Sequence, residues 1–261
     1  MLRAFSTAAT GMTAQQMIVD VIANNLANIN TSGFKRSQVD FQDLMYLKLA
    51  QAGGETAAGV LAPTGLEIGA GVQVAATTKI FTPGELENTG RNLDMAITGD
   101  GFFEVTMPDG STRYTRDGSL KLDANGLLVT ANGYTIGGGL TIPSGSVRVS
   151  VGDDGTITSF DTEGVATTVG TLNLVRFVNP SGLSSEGDNL LSETPASGTP
   201  ISGAPGDEGF GTLQQGFLEK SNVQMVTELV NLIKAQRAYE INSRAIRAGD
   251  EMLNTANRLI S

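Results

Sequence analysis

Apolar residues recur at helical spacing at both ends of this chain and at strand-like spacing between them. Toward the C-terminus, Leu232, Tyr239, Ile246, Leu253 and Ile260 fall on every seventh position. At the other end, Leu2, Phe5, Ala9, Met12, Val19, Ala23 and Leu26 follow an alternating three-four spacing, interrupted by Gln16. Heptad spacing marks a helix–helix seam, so each end predicts a long amphipathic helix that needs a partner for its stripe. The first helix is expected from about Leu2 to Asn30, where Asn30-Thr31-Ser32-Gly33 stops it and Gly33 takes the left-handed position after the last turn. Ser221-Asn222-Val223-Gln224 fits a capping box and predicts the start of the last helix, which runs to Ile260. Asn24, Asn25 and Asn28 are poor helix formers, and imply packing or hydrogen bonds that exist only in an assembled state.

Between the helices the pattern changes. Phe34, Val39, Phe41, Leu44 and Tyr46 fit short strands, and the Gly-rich stretch from Ala50 to Gly65 has no periodicity and reads as a flexible or extended loop. Turn signals follow: Pro108-Asp109-Gly110, Arg116-Asp117-Gly118, Asn125-Gly126, Asn132-Gly133 and Asp154-Gly155. They separate β-rich runs such as Phe102–Thr106, Val147–Val151 and Leu172–Phe177, the signature of an antiparallel β-region. Ser192–Gly211, rich in Gly, Pro and Ser, reads as a linker leading out of it. The expected class is α+β and multidomain: long terminal helices pairing as a coiled coil around an intervening, mainly antiparallel β-region.

Composition sharpens this. Of 33 glycines, 26 fall between Glu67 and Gly216, so the turn-rich character belongs to the middle. The net charge of −10 is also concentrated there, with 7 Lys+Arg against 18 Asp+Glu in residues 67–216 and near-balance in the flanks. An acidic surface disfavours nucleic acid and anionic lipid, and suits a basic partner or simple solubility. The chain has no Cys and no His. Disulfides, thiol nucleophiles, the commonest zinc ligands and the commonest general base are therefore unavailable. No segment has the form of a cleaved secretory signal or of a membrane-spanning run, so the expectation is retention in the cytoplasm or export without a cleaved signal.

Three candidate chemistries fail on inspection. Asp94, Asp100 and Glu104 lie close in sequence, as paired acid/base carboxylates do, but read as solvated residues around a turn. Asp123-Ala124-Asn125-Gly126 and Asp153-Asp154-Gly155 begin like calcium loops without the full ligand series, and read as hairpin turns. Gly137-Gly138-Gly139 lacks a following Gly-Lys-Ser/Thr, and reads as a turn or bulge. No catalytic constellation, metal site or cofactor site is expected.

Asn24-Asn25-Leu26-Ala27-Asn28-Ile29-Asn30-Thr31-Ser32-Gly33-Phe34-Lys35-Arg36 resembles the N-terminal signature of the flagellar rod and hook (axial) protein family. Gln236-Arg237-Ala238-Tyr239-Glu240-Ile241-Asn242-Ser243 resembles its C-terminal signature. Within the family, Thr115-Arg116-Asp117-Gly118-Ser119, Gly209–Gly216 and the overall length are similar to the distal-rod members, as is a Gly-rich insertion near residues 46–65. The chain departs from the family pattern in the acidity of its Gly-rich middle.

The resemblance implies a structural subunit, not an enzyme, that polymerises helically around an export channel and transmits torque from motor to hook. It divides the chain into an N-terminal helix of an inner coiled-coil domain (1–33), a connecting region with a flexible insertion (34–95), an outer β-domain (96–216) and a C-terminal helix of the inner domain (217–261). The implied assembly surface comprises Leu2, Phe5, Met12, Val19, Asn24, Asn25, Leu26, Asn28, Gly33 and Phe34 at one end. At the other it comprises Leu232, Gln236, Arg237, Tyr239, Glu240, Asn242, Ile246, Leu253 and Ile260. Implied partners are further copies of the chain, proximal rod and hook proteins, the P- and L-ring proteins acting as a bushing, and the flagellar export apparatus. The implied location is the basal body, in a rod crossing the periplasm toward the outer membrane. Competing readings are another axial protein, from the proximal rod or hook, and a secreted β-rich carbohydrate-binding module or glycosidase.

Overall fold

The computed structural model describes residues 2–50, 53, 55–57, 60–61 and 63–260. Helix α1 spans Leu2–Ala27 and helix α2 spans Met225–Ile260, with only short antiparallel strands and one 3-10 turn described between them. The chain divides into two compact units. One gathers residues 1–26, 37–78 and 224–261, and the other residues 27–36 and 79–223. The connecting region 34–95 is thus shared, its strand Ser37–Asp43 pairing with Val72–Lys79 in the helical unit.

In the helical unit, α1 stops three residues short of the expected end, and Gly33 does adopt a left-handed φ of 69°. The start of α2 is a correction. The helix begins four residues after Ser221, whose hydroxyl accepts from the Val223 amide at 3.3 Å instead of closing a capping box. The reason lies in Asn222, whose side chain accepts from the Arg36 amide (2.8 Å) and donates to the Ile80 carbonyl (2.8 Å). These bonds tie the backbone at Asn222 outside the helix.

The insertion is a second correction. Leu47–Ala50 pairs with Leu66–Ile68 and, inside that pair, Glu55–Ala57 pairs with Val60–Leu61. Its described residues are nested antiparallel strands and not a loop. Residues 51, 52, 54, 58, 59 and 62 of the expected insertion lie outside the described residues.

The β-unit is built on a nine-stranded sheet whose central strand, Phe102–Thr106, is flanked by Thr112–Thr115, Leu174–Arg176 and Thr135–Ile136. Successive side chains on a strand point to opposite faces. Phe103 and Val105 accordingly enter one core with Met95, Ile97, Leu128 and Leu174, while Phe102 enters another with Tyr114, Val175 and Phe177. A three-stranded sheet, Arg148–Val151, Thr156–Phe160 and Ala166–Thr171, supplies Val149, Val151 and Ile157 to the first core.

Two readings of this region change. Ser192–Gly211 is not a linker: Ile201–Gly203 pairs with Leu174–Arg176, and Ser197 is fully buried in a turn its own hydroxyl closes on Thr194. Arg116-Asp117-Gly118 is not a simple exposed turn, because Arg116 runs inward and is 6% exposed. The remaining Asp-Gly and Asn-Gly signals behave as read, with φ of 83°, 78°, 86° and 80° at Gly110, Gly126, Gly133 and Gly155.

Candidate assembly interface

The α2 heptad emerges as half of a seam. Leu232, Ile246 and Leu253 are half-buried, whereas Tyr239 is 44% exposed. The most covered positions form a second seven-residue series that hydrophobicity does not reveal: Glu228, Ala235 and Gly249 are buried, and Asn242 is half-buried. Small and polar residues here permit close approach to α1. A Cβ on Gly249 would lie 2.7 Å from the Phe5 ring, and one on Gly11 would lie 2.9 Å from the Asn242 side-chain nitrogen. The order reverses along the two helices, so α1 and α2 run antiparallel where they touch.

On α1, Phe5, Met12, Val19 and Leu26 are half-buried, but Ala9 and Ala23 of the expected stripe are exposed. The covered residues are instead Ala14, Ile22 and Asn25, which lie on a different side of the helix at 3.6 residues per turn. The side chains of Leu2 and Ile260 lie outside the described residues.

Two of the three asparagines make side-chain hydrogen bonds within the chain. The Asn25 side chain, 1% exposed, donates to the Ser37 carbonyl and accepts from the Ser37 amide, both at 2.9 Å. Asn28 accepts from the Thr31 hydroxyl at 3.2 Å. These bonds form within one chain and require no assembled partner. Asn24 is exposed, as are Gln236, Arg237 and Glu240; Phe34 is half-buried, with the Lys79 ammonium 5.9 Å from its ring centroid. The Glu240–Arg244 pair forms at 3.7 Å on the surface. Arg247 donates to the Ser243 hydroxyl at 3.2 Å.

Opposite the covered face, the first turns of α2 present Val226 (75% exposed), Leu229, Val230 and Ile233. They stand ~100–200° round the helix from Glu228. Four large aliphatic residues side by side in water on one helix face are a surface awaiting cover.

A buried ionic node underlies the two segments that connect to the helices. Glu219, next to the exit toward α2, is 2% exposed. One of its carboxylate oxygens accepts from Lys35 Nζ at 2.6 Å and from the Gly84 amide at 2.8 Å; the other accepts from Arg116 Nε at 2.8 Å. The rest of the Arg116 guanidinium donates to the carbonyls of Gly101 (2.7 Å), Gly99 (2.8 Å) and Ile97 (3.3 Å), and Lys35 also donates to Thr82 O at 2.8 Å. Burial pushes the Glu219 carboxyl up, but the charges of Arg116 and Lys35 outweigh it and hold it below the usual carboxylate range. Burial holds the Lys35 ammonium below the usual lysine range. The Glu219 carbonyl additionally accepts from the Gly33 amide at 2.8 Å. Lys35 and Arg116 stood in recognisable motifs; Glu219 did not. The signal was a cation in each of two Gly-containing turns, each needing an acid if buried.

Two of the acidic candidates, Asp94 and Asp154, resolve as structural groups. Asp94 is not solvated but 1% exposed, accepting from Thr89 Oγ1 and from Arg91 Nε at 2.8 Å. Asp154 closes its turn on the Thr156 amide and hydroxyl. Among the described residues no group of three or more acidic side chains is arranged to hold a metal ion, and no helix is long and apolar enough to cross a membrane.

Residues 5–35 match the model of the flagella basal body rod protein family, residues 96–159 that of the flagellar hook protein FlgE/F/G D1 domain, and residues 214–259 that of the flagellar basal body rod FlgEFG protein C-terminal region. The chain is 49% identical to the flagellar basal-body rod protein FlgG of Buchnera aphidicola from Schizaphis graminum, over 96% of both chains. It is 46% identical to FlgG of Borreliella burgdorferi over 99% of both, and 40% identical to FlgG of Bacillus subtilis over 97% of both. Likeness at this level along the whole length, with both helical ends and the β-unit included, establishes that the chain belongs to the flagellar basal-body rod protein family.

Proposed function

We propose that this chain is the subunit of the distal part of the flagellar rod: a structural protein that polymerises helically around an export channel and carries torque from motor to hook. The observation that carries the reading is the uncovered apolar face Val226–Leu229–Val230–Ile233, on a helix whose opposite face already packs on α1. Fully burying one such side chain yields ~1.5–3 kcal/mol. The exposed portions of these four amount to about two whole side chains, so covering them supplies roughly 3–6 kcal/mol per copy before ordering costs. A contact between identical subunits that does not close on itself propagates into a filament.

In this reading the terminal helices form the inner coiled coil, and Met12, Val19, Leu26, Tyr239 and Arg237 meet neighbouring copies. The β-unit lies outside, and the strands of residues 46–65 pack between subunits and stiffen the rod. Proximal rod and hook proteins cap the two ends, the P- and L-rings act as a bushing against the acidic surface, and export proceeds through the flagellar apparatus without a cleaved signal. The test is Val230→Asp with Ile233→Asp. Monomers should keep the wild-type circular dichroism and melting temperature yet fail to polymerise or to restore motility. Normal rods built from this variant would refute the proposed contact face.

A further inference from the structure

One pocket of the β-unit is chemically unlike the acidic surface around it. It encloses about 410 Å³, with Phe81, Phe102 and Phe177 in its wall and Val178 at its rim. The rings are locked edge-to-face, with centroids 5.4 Å apart for Phe81–Phe102 and 6.0 Å for Phe102–Phe177, so the apolar wall is preformed. Val178 is 82% exposed, one of the most exposed aliphatic side chains of the unit.

The polar part of the wall is cationic. Arg116 and Arg176 both line it, against one acid, Asp100. Arg116 is fully engaged by Glu219 and three carbonyls, as described above. Arg176 is not: its guanidinium stacks on Phe210 at 5.5 Å, and its buried Nε has no hydrogen-bond partner. Gly209 keeps this arrangement open, since a Cβ there would lie 2.6 Å from an Arg176 terminal nitrogen. The Arg176 guanidinium, which lines the pocket beside a ready-made aromatic wall, fits an apolar side chain next to a carboxylate.

The chain carries such a group. The hairpin joining strands Thr156–Phe160 and Ala166–Thr171 is exposed throughout residues 161–168, and its tip places Val165, 58% exposed, beside Asp161 and Glu163. The other exposed aliphatics of the unit fit less well. Val147 adjoins Arg148, Leu122 sits in a paired strand between Lys121 and Asp123, and Leu86 sits in a paired strand whose neighbour Glu87 already meets Lys220 at 3.4 Å.

We propose that the hairpin tip of one copy, with Val165 and Glu163, seats in the Phe81–Phe102–Phe177–Arg176 pocket of the next copy. The contact is head-to-tail, joining unlike surfaces, and therefore extends along a polymer without closing. It rests on the rod reading above and adds an outer contact to the helical one.

The absence of cysteine makes a cross-linking test clean. Val165→Cys and Val178→Cys are introduced singly and together, and assembled polymer is treated with a short bis-maleimide. The double variant should give a ladder of covalent multimers and each single variant only monomer. In a parallel variant carrying Ile233→Cys, loss of labelling by a mono-maleimide on assembly reports whether the α2 face is covered by a neighbouring copy. Protection of Ile233→Cys without a ladder from the double variant would overturn the tip-in-pocket contact while leaving the rod reading intact. Dimers from Val165→Cys alone would overturn it in favour of tip-to-tip contact. A chain that never polymerises would overturn both. In addition, Arg176→Glu and Glu163→Arg should each weaken polymer formation at least tenfold, and the double reversal should recover most of that loss.

Discussion

Replacing Glu219 by glutamine preserves the shape of the node but removes the negative charge that Lys35 and Arg116 share. The wild-type carboxylate is buried and accepts three hydrogen bonds, at 2.6, 2.8 and 2.8 Å. In the variant two cations, 3% and 6% exposed, face a neutral amide that must also turn a donor toward one of them. Removing one partner of a buried ionic group typically costs about 3–5 kcal/mol. For a domain of this size, ~1 kcal/mol moves Tm by about 2–4 °C, so the β-unit of the full chain should melt roughly 6–20 °C lower by calorimetry. The comparison variant is Glu240→Gln, whose partner Arg244 is 3.7 Å away with both side chains about two-thirds exposed; it should cost under ~0.5 kcal/mol. A Glu219→Gln loss as small as that of Glu240→Gln would refute the claim that the node holds the two connecting segments.

The same node predicts acid sensitivity. Glu219 titrates below the usual carboxylate range when folded, whereas unfolded it binds a proton near pH ~4.3. Its contribution is therefore complete above that value and lost as pH falls through the lower folded pKa, and Glu219→Gln should abolish that part of the slope in denaturant titrations at pH 3–6. Gly118→Ala should be costly without any backbone strain, because its Cβ would fall 1.6 Å from the Met95 carbonyl oxygen; a loss of about 1–3 kcal/mol or more is expected in urea unfolding, and a neutral result would contradict the strand placement. Asn25→Ala strands both polar groups of Ser37, so the Ser37 amide should exchange with deuterium much faster, and stability should drop by ~1–3 kcal/mol.

What the sequence revealed depended on the range over which each feature is determined. Helices α1 and α2 announce themselves because a seven-residue apolar period is local, and the hairpin turns do so because Gly110, Gly126 and Gly155 need a left-handed backbone. The covered series Glu228–Ala235–Asn242–Gly249 was invisible to a search for large apolar residues, since close helix approach selects small ones. Misreadings clustered where composition stood in for pairing. The 46–65 region and Ser192–Gly211 are Gly-rich, yet the described strands of the first pair with one another and with Leu66–Ile68, and Ile201–Gly203 pairs with Leu174–Arg176 outside its segment. Glu219 could not be found for the same reason: its partners Lys35 and Arg116 lie 184 and 103 residues away.

The central claim is that copies of this chain join through the uncovered face of α2. Helical reconstruction of the polymer by electron cryomicroscopy tests it most directly. The terminal helices should lie at the inner radius, with Val226, Leu229, Val230 and Ile233 packed against a neighbouring copy. Density in which those four side chains still face solvent, with subunits joined through the β-units alone, would contradict it.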